Sequence, residues 1–354
     1  MVKSKQSLIG AAIIASLLTT SAYSQITISG TMDVSQLRGS GKGLNMVSEG
    51  LGGGTVITVA SKGKMANGME YAVSQNFNST ATENARGTAA VTPMTTRFAH
   101  VEPVKDVRLF YTYDGVYGGE IARTAIPVLT NRPLDYTGSS TLREFIDVTS
   151  SSHAIGFEVL NLGPSGRLSF AYNPNFDSLP TSGNDRVVGY TNDATGYSFG
   201  AIVAPGPVRI AAGYTKIDQQ HAANAQDATS TTLGITYTQA PFAVGAQRTI
   251  SDGLKVATLV TANVEDKTNN IAATYAVDKA LSLGITYNTT DRTVVGATKG
   301  PKTKVVQYVA AYNLGPAVAS IGYEVADNKQ TSGTTVSVTG QDHRLAKAQI
   351  KLNF

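Results

Sequence analysis

A two-residue alternation of apolar and polar side chains runs along most of this chain. In the last segment, apolar positions alternate with lysine, glutamine and asparagine, and the apolar set is Ala346, Ala348, Ile350, Leu352 and Phe354. Successive side chains of a β-strand point to opposite faces, so this pattern indicates strands with one apolar and one polar face. Beyond the first two dozen residues, no segment shows a convincing helical period. The alternation therefore predicts an all-β fold.

The alternation and the turn residues between its segments predict sixteen strands. Their predicted ranges are 26–37, 54–61, 69–78, 107–113, 119–124, 153–160, 167–172, 196–203, 208–217, 230–237, 242–250, 269–276, 281–289, 303–312, 317–326 and 341–354. The span 251–268 is assigned to a connection, although Val256 to Val264 could form one further strand.

The connections alternate between short and long. The short ones, rich in glycine, proline and asparagine, are 61–68, 114–118, 161–166, 204–207, 238–241, 277–280 and 313–316. The long ones are 38–53, 79–106, 125–152, 173–195, 218–229, 251–268, 290–302 and 327–340. Short periplasmic turns and long outer loops are typical of bacterial outer-membrane barrels.

A sheet that crosses lipid must close on itself, because an open edge finds no hydrogen-bond partner in hydrocarbon. The chain is therefore predicted to form a transmembrane antiparallel β-barrel with a polar lumen and an apolar outer wall. Six tyrosines at strand ends on the apolar parity would suit the membrane boundary: Tyr172, Tyr214, Tyr237, Tyr287, Tyr312 and Tyr323. A soluble β-sandwich or β-helix also alternates, but seldom repeats one pattern so many times.

The N-terminus has the organisation of an export signal. Lys3 and Lys5 precede an apolar run from Leu8 to Leu18, and small residues end at Ser24. This run of eleven residues is too short to cross a bilayer, which takes about 20. We predict a cleaved signal peptide over 1–24 and a barrel domain over 25–354.

Composition argues against several other classes of protein. The chain has no cysteine, which excludes thiol catalysis and thiolate metal sites. Its formal net charge is +4, and the sequence has no long run of basic residues, so a nucleic-acid partner is not predicted. The four histidines, His100, His153, His221 and His343, lack the spacing of metal ligands. No enzyme activity, metal or cofactor is predicted, although a single sequence does not show catalytic residues that come together only in the folded protein.

Three segments resemble the Gram-negative general porin family, especially its trimeric sixteen-stranded members. Ile26-Thr27-Ile28-Ser29-Gly30 resembles the family's first strand. YDGVYGGEIARTAIP, residues 113–127, resembles the turn and strand before the family's constriction loop, with Ala122 and Thr124 in place of its usual glycine and glutamine. The chain also ends in phenylalanine, Phe354, as family members do.

The resemblance implies an outer-membrane porin of a Gram-negative bacterium, a passive diffusion channel for small hydrophilic solutes and ions. It also implies a homotrimer in contact with lipid and lipopolysaccharide, and recognition of Phe354 by the barrel-assembly machinery. A third loop, at about 125–152, would fold into the pore and narrow it. Two alternatives stay open: a substrate-specific channel, and a structural or adhesive barrel whose outer loops bind a partner.

The candidate pore-lining residues are charged. Arg123 matches the family's arginine at the entry to loop three, and Arg108 shares its strand face with Phe110 and Thr112, which predicts that it points inward. Strand parity also places Asp33, Glu158 and Arg167 on lumen faces, and loop three adds Arg132, Asp135, Arg143 and Glu144. Any of these could instead be a solvated charge far from the constriction. Their mixed signs leave the ion preference open.

Overall fold

The computed structural model describes residues 25–41, 50–81, 97–113, 116–123, 148, 153–163, 165–174, 194–218, 227–256, 259–294, 302–329 and 341–354. Within these ranges, sixteen antiparallel strands form one closed barrel in which each strand pairs with its neighbours in sequence. The strands are β1 Gln25–Gly41, β2 Gly50–Lys64, β3 Glu70–Ala81, β4 Arg97–Val104, β5 Val107–Tyr113, β6 His153–Leu160, β7 Arg167–Asn173, β8 Thr195–Val203, β9 Val208–Asp218, β10 Ala228–Gln239, β11 Phe242–Val256, β12 Leu259–Ala276, β13 Leu281–Val294, β14 Thr303–Asn313, β15 Ala317–Lys329 and β16 Gln341–Asn353. One short helix, α1, spans Glu120–Arg123. The predicted barrel and its strand number are confirmed.

The barrel closes where β1 pairs with β16. At this seam the N–H of Gly30 donates to the carbonyl of Phe354 at 2.8 Å, and the N–H of Phe354 donates back at 3.0 Å. The phenyl ring of Phe354 lies over Gly30, where an added Cβ would come within 2.6 Å of the ring. The last residue therefore hydrogen-bonds the two ends of the sheet together.

Apolar side chains face outward and polar ones inward, the reverse of a soluble protein. Ile28 is 67% exposed and Leu233 60%, whereas Thr215 and Asn288 are fully buried. All six tyrosines predicted for the outer wall are on the exposed side, between 37% and 48% accessible. In the part of the chain that the structure describes, no helix has the length and apolarity to cross a membrane.

Two errors in the predicted strands cancel in the total. The predicted strand 119–124 is wrong, because residues 118–119 form a turn and 120–123 form α1. Ile121 and Ala122 are both buried, which a strand with only one buried face does not allow. The predicted loop 79–106 contains β4, which the alternation missed because this strand turns Phe98 inward and carries Pro103 and a bulge near its end.

These errors also move loop three. The predicted short turn 114–118 is wrong, because the short connection here is Lys105–Asp106, between β4 and β5. Loop three therefore runs over 114–152 and starts before the predicted 125–152. The connection predicted at 251–268 is mostly strand, since β11 reaches Val256 and β12 starts at Leu259, and no extra strand forms.

The connections alternate between the two rims of the barrel. The turn rim carries residues 65–69, 105–106, 161–166, 204–207, 240–241, 277–280 and 314–316, together with both ends of the described chain. The remaining connections are at the loop rim. They are longer than the turns, except for residues 257–258 between β11 and β12. Strands β4–β7 are the shortest described strands, with seven or eight residues each.

Candidate functional site inside the barrel

Loop three enters the barrel as soon as it leaves β5. The N–H of Gly118 donates to Ser169 Oγ at 2.8 Å, and the N–H of Gly119 donates to Ser198 Oγ at 2.5 Å. Because both serines lie on the inner faces of their strands, these bonds fix the loop to the inside of the wall. Near the far end of the loop, the side chain of Asn173 donates to the carbonyl of Val148 at 3.0 Å.

Small residues on β8 and β9 make room for this contact. A Cβ on Gly200 would lie 2.1 Å from the Gly118 carbonyl oxygen, and one on Gly213 would lie 2.5 Å from that of Gly119. Gly118 itself has a φ of +59°, which favours glycine. We call Ser169, Ser198, Gly200, Ala211 and Gly213 the docking groove.

Apolar contacts continue the attachment along α1. Ile121 and Ala122 pack with Ile202 and Ala211 in one buried cluster. The start of the loop is therefore attached to the docking groove by two hydrogen bonds from backbone N–H groups to serine hydroxyls and by a small apolar cluster. The sequence of this segment resembles a barrel strand because it contains apolar residues. Those residues are buried against the inner wall and do not face lipid.

Four rings form a continuous surface beside this attachment, which we call the aromatic shelf: Phe98, His100, Phe110 and Tyr117. Ring centroids are 4.0 Å apart between Phe110 and Tyr117, 5.4 Å between Phe98 and Tyr117, and 5.0 Å between Phe98 and His100. Gly156 leaves the space for Phe110, because a Cβ there would meet its ring at 2.7 Å. Burial, and secondly the charge of Glu158, raises the pKa of the Tyr117 phenol well above its usual range, so this ring stays neutral.

A row of four charges lies along the turn-rim side of the aromatic shelf: Glu102, Arg108, Glu158 and Arg167. Arg167 Nε donates to Glu158 Oε1 at 2.8 Å, and its Nη2 contacts the same oxygen. Arg108 stands directly opposite Glu158 across β5 and β6, and its Nε lies 3.5 Å from Glu102 Oε2. The guanidinium of Arg167 also lies 6.0 Å from the centre of the Tyr117 ring.

Exposure separates the two signs in this charged row. The side chains of Arg108 and Arg167 are 34% and 33% exposed, whereas those of Glu102 and Glu158 are 14% and 2% exposed. The accessible part of this row therefore belongs mainly to the two guanidinium groups, although the four formal charges cancel.

The opposite wall carries paired polar side chains. Asp266 and Arg292 form an ion pair with an Arg292 Nε to Asp266 Oδ1 distance of 2.7 Å, and Gln307 donates to Glu324 at 2.6 Å. These residues are buried, as are most described inward side chains on β7–β16. On the inner faces of β2–β4, described side chains such as Ser74, Asn76 and His100 are partly exposed, as is Arg108 on β5, whereas Phe110 and Thr112 on β5 are buried. Part of the described inner wall that water reaches thus lies on β2–β4, next to the aromatic shelf and the charged row.

The predicted site residues divide into three groups. The side chains of Arg108, Glu158 and Arg167 are on the inner faces of their strands and lie together in the charged row. Arg123 ends α1 on the docked segment, and Asp33 pairs by register with Lys351 and Gly54; their side chains lie outside the described part. Outside it altogether lie the loop residues Arg132, Asp135, Arg143 and Glu144.

Sequence reasoning missed Tyr117, Phe98, His100 and Glu102. On β4, Phe98, His100 and Glu102 alternate with Ala99, Val101 and Pro103. The strand alternation is therefore present, but its large apolar ring, Phe98, is on the lumen face instead of the lipid face. Nothing local indicates that Tyr117 folds back into the barrel. Among the described residues, no three His, Asp or Glu side chains are placed to hold a metal ion.

Comparisons with known proteins agree with this architecture. No curated protein sequence matches the chain. A family model described as Gram-negative porin matches residues 10–332. A porin structure refined at 1.8 Å superposes with a TM-score of 0.61 at 15% identity, covering 93% of this chain and 100% of that one.

Two further structures are similar. OmpT of Vibrio cholerae, in its trimer form, has a TM-score of 0.62 at 10% identity and covers 94% of this chain and 99% of its own. A mutant porin of Rhodopseudomonas blastica has a TM-score of 0.61 at 12% identity, with coverages of 93% and 100%. These likenesses show the fold, and the family model covers most of the sequence. The chain therefore belongs to the Gram-negative porin family and is an outer-membrane diffusion channel.

Proposed function

We propose that this porin is a general diffusion channel for small hydrophilic solutes and ions, that it works without a cofactor and that it catalyses no reaction. The observation that carries the proposal is the attachment of loop three to the inner wall, beside partly exposed polar side chains on β2–β4. A loop attached at this place would narrow the lumen. Sixteen strands leave an aqueous interior that such a loop can restrict.

Liposome swelling tests this function. Proteoliposomes are placed in isotonic solutions of uncharged sugars of increasing size, and the initial swelling rate is recorded. A general channel gives rates that fall smoothly with solute size. A substrate-specific channel would favour one sugar against this order, and a structural or adhesive barrel would give no swelling with protein whose folding is verified by heat-dependent gel mobility.

We also propose that the pore prefers anions. The support is the unequal exposure in the charged row, where the arginine side chains are more accessible than the carboxylates paired with them. Channel selectivity follows the sign of the charges that line the pore. A salt gradient across a planar bilayer should give a reversal potential of the sign set by chloride, and a cation-type potential would contradict this assignment.

The assembly is proposed to be a homotrimer in outer-membrane lipid with lipopolysaccharide around it. OmpT of Vibrio cholerae, with the same barrel fold, is a trimer. The exposed apolar wall supplies surface for contacts between copies as well as for lipid. Phe354 is proposed as the residue that the barrel-assembly machinery recognises. Cross-linking of refolded protein should stop at three copies, and a ladder ending at one or two would contradict the trimer.

A further inference from the structure

We propose that the aromatic shelf, together with Arg108 and Arg167, forms a binding subsite for solutes that carry a flat ring and an anionic group, such as aromatic carboxylates. The inference rests on the proposed diffusion function and adds a solute class that passes slowly because it binds. It concerns the side of the lumen where the described inner wall is open to water.

The shelf presents ring surface to the lumen. Phe110 is its buried base at 5% exposure, whereas Phe98, His100 and Tyr117 are half-buried and keep part of their surface accessible. The centroid distances of 4.0 to 5.4 Å show that these rings form one surface. Flat rings stack on such surfaces at centroid separations of about 4.5–7 Å. A planar solute can therefore extend the row by one ring.

The arginines supply the anion-binding part. Arg167 gives Nε and Nη2 to Glu158, so the five N–H groups of its guanidinium are not all used by that pair. Arg108 has a longer contact of 3.5 Å with Glu102. Because Arg167 is 6.0 Å from the Tyr117 ring centre, a ring stacked on the shelf would hold an attached carboxylate within reach of a guanidinium.

His100 adds an unmatched polar atom. Its Nδ1 is buried and finds no hydrogen-bond partner in the described part of the chain. Buried polar atoms are normally hydrogen-bonded. Because solvent does not reach this atom, His100 contributes its ring to the shelf and no hydrogen bond to a solute. The shelf and the two arginines thus point to the same kind of molecule, one with a flat ring and a negatively charged substituent.

Indole-3-acetate is a suitable probe. The chain contains no tryptophan, so indole fluorescence excited beyond the tyrosine absorption band reports only the ligand. Anisotropy is measured as detergent-folded, full-length mature protein is titrated into the probe. Neutral 3-methylindole tests the need for the charge, and competition by cyclohexylacetate tests the need for the flat ring.

The proposal predicts saturable binding of indole-3-acetate, with weaker binding of methylindole and weaker competition by cyclohexylacetate. Tyr117→Leu should weaken binding about three- to tenfold through loss of stacking, whereas Tyr117→Phe should retain it. Arg108→Gln and Arg167→Gln should each weaken the binding of indole-3-acetate more than the binding of 3-methylindole. The matched control is Tyr308→Leu, which removes a ring from the outer wall and should change nothing.

Equal binding by Tyr117→Leu and wild type would overturn the subsite. If the leucine variant binds normally but shows altered potassium chloride conductance, Tyr117 is only a latch for loop three. Conductance of the same preparation separates this result from the proposed function. A conducting channel that does not bind the probe loses the subsite alone, and a silent barrel that binds it loses the diffusion function alone.

Discussion

The substitution Gly200→Ala tests whether the docking groove holds loop three. The new Cβ would lie 2.1 Å from the carbonyl oxygen of Gly118 and 2.6 Å from Cγ1 of Ile121. Carbon and oxygen approach to about 3.3 Å, so the loop must move by about 1 Å. Such a shift also breaks the hydrogen bonds from Gly118 and Gly119 to the two groove serines.

The expected cost follows from these contacts. Overpacking costs about 1–3 kcal/mol, and each lost hydrogen bond adds about 1 kcal/mol. A total of about 3–5 kcal/mol changes the ratio of docked to undocked loop by roughly a hundred- to several-thousandfold. Since the barrel strands keep all their ladder bonds, we expect folded protein whose loop detaches often.

Single-channel recording of the folded variant measures this. Gly200→Ala should give a larger mean conductance with rapid flicker between levels. The control is Ala201→Val, which adds volume on the outward face of the same strand and should conduct like the wild type. A Gly200→Ala channel that is folded and has wild-type conductance and noise would refute the reasoning that links the groove to the pore.

Three other substitutions test separate parts of the account. Glu158→Gln removes the negative charge beside Arg167, so the chloride-to-potassium permeability ratio should rise about two- to fivefold, because two charges in contact in water interact by up to about 1 kcal/mol. A shift of this ratio toward potassium would contradict the proposed anion preference. Phe354→Ala keeps both backbone hydrogen bonds to Gly30, so refolding into detergent should proceed while the amount assembled in the outer membrane of cells falls, and equal loss in both assays would argue against a recognition role. Asp278 accepts hydrogen bonds from the backbone N–H groups of Ala280 and Leu281, which lower the pKa of its carboxyl. The stability that the ionised carboxylate contributes is present at neutral pH and is lost as the pH falls through that lowered pKa. Asp278→Asn should therefore flatten this part of the acid dependence of the free energy of unfolding, and an unchanged dependence would show that the turn does not contribute to it.

The barrel could be predicted from sequence because its physics is local. Alternation fixes which face of each strand meets lipid, and lipid forbids an open edge, so Ile28 and Ile350 already imply a closed wall. The same rule misled at β4, where the ring of Phe98 faces the lumen. It also misled at Ile121 and Ala122, which are apolar because they pack inside the barrel.

The candidate site was only partly predictable. Parity placed Arg108, Glu158 and Arg167 on inner faces, but the cross-strand pairing that groups them depends on register. Tyr117 joins them only because the glycines at 118, 200 and 213 let the chain approach the wall closely. A close approach between distant segments leaves no periodic signal in a sequence, and so the shelf could not be anticipated.

The most direct test of the central claim is single-channel conductance of the refolded mature protein in a planar bilayer. We expect stable conductance steps, grouped in threes, with a reversal potential toward chloride under a potassium chloride gradient. Absence of any conductance from protein shown to be folded by its heat-dependent gel mobility would contradict a diffusion channel.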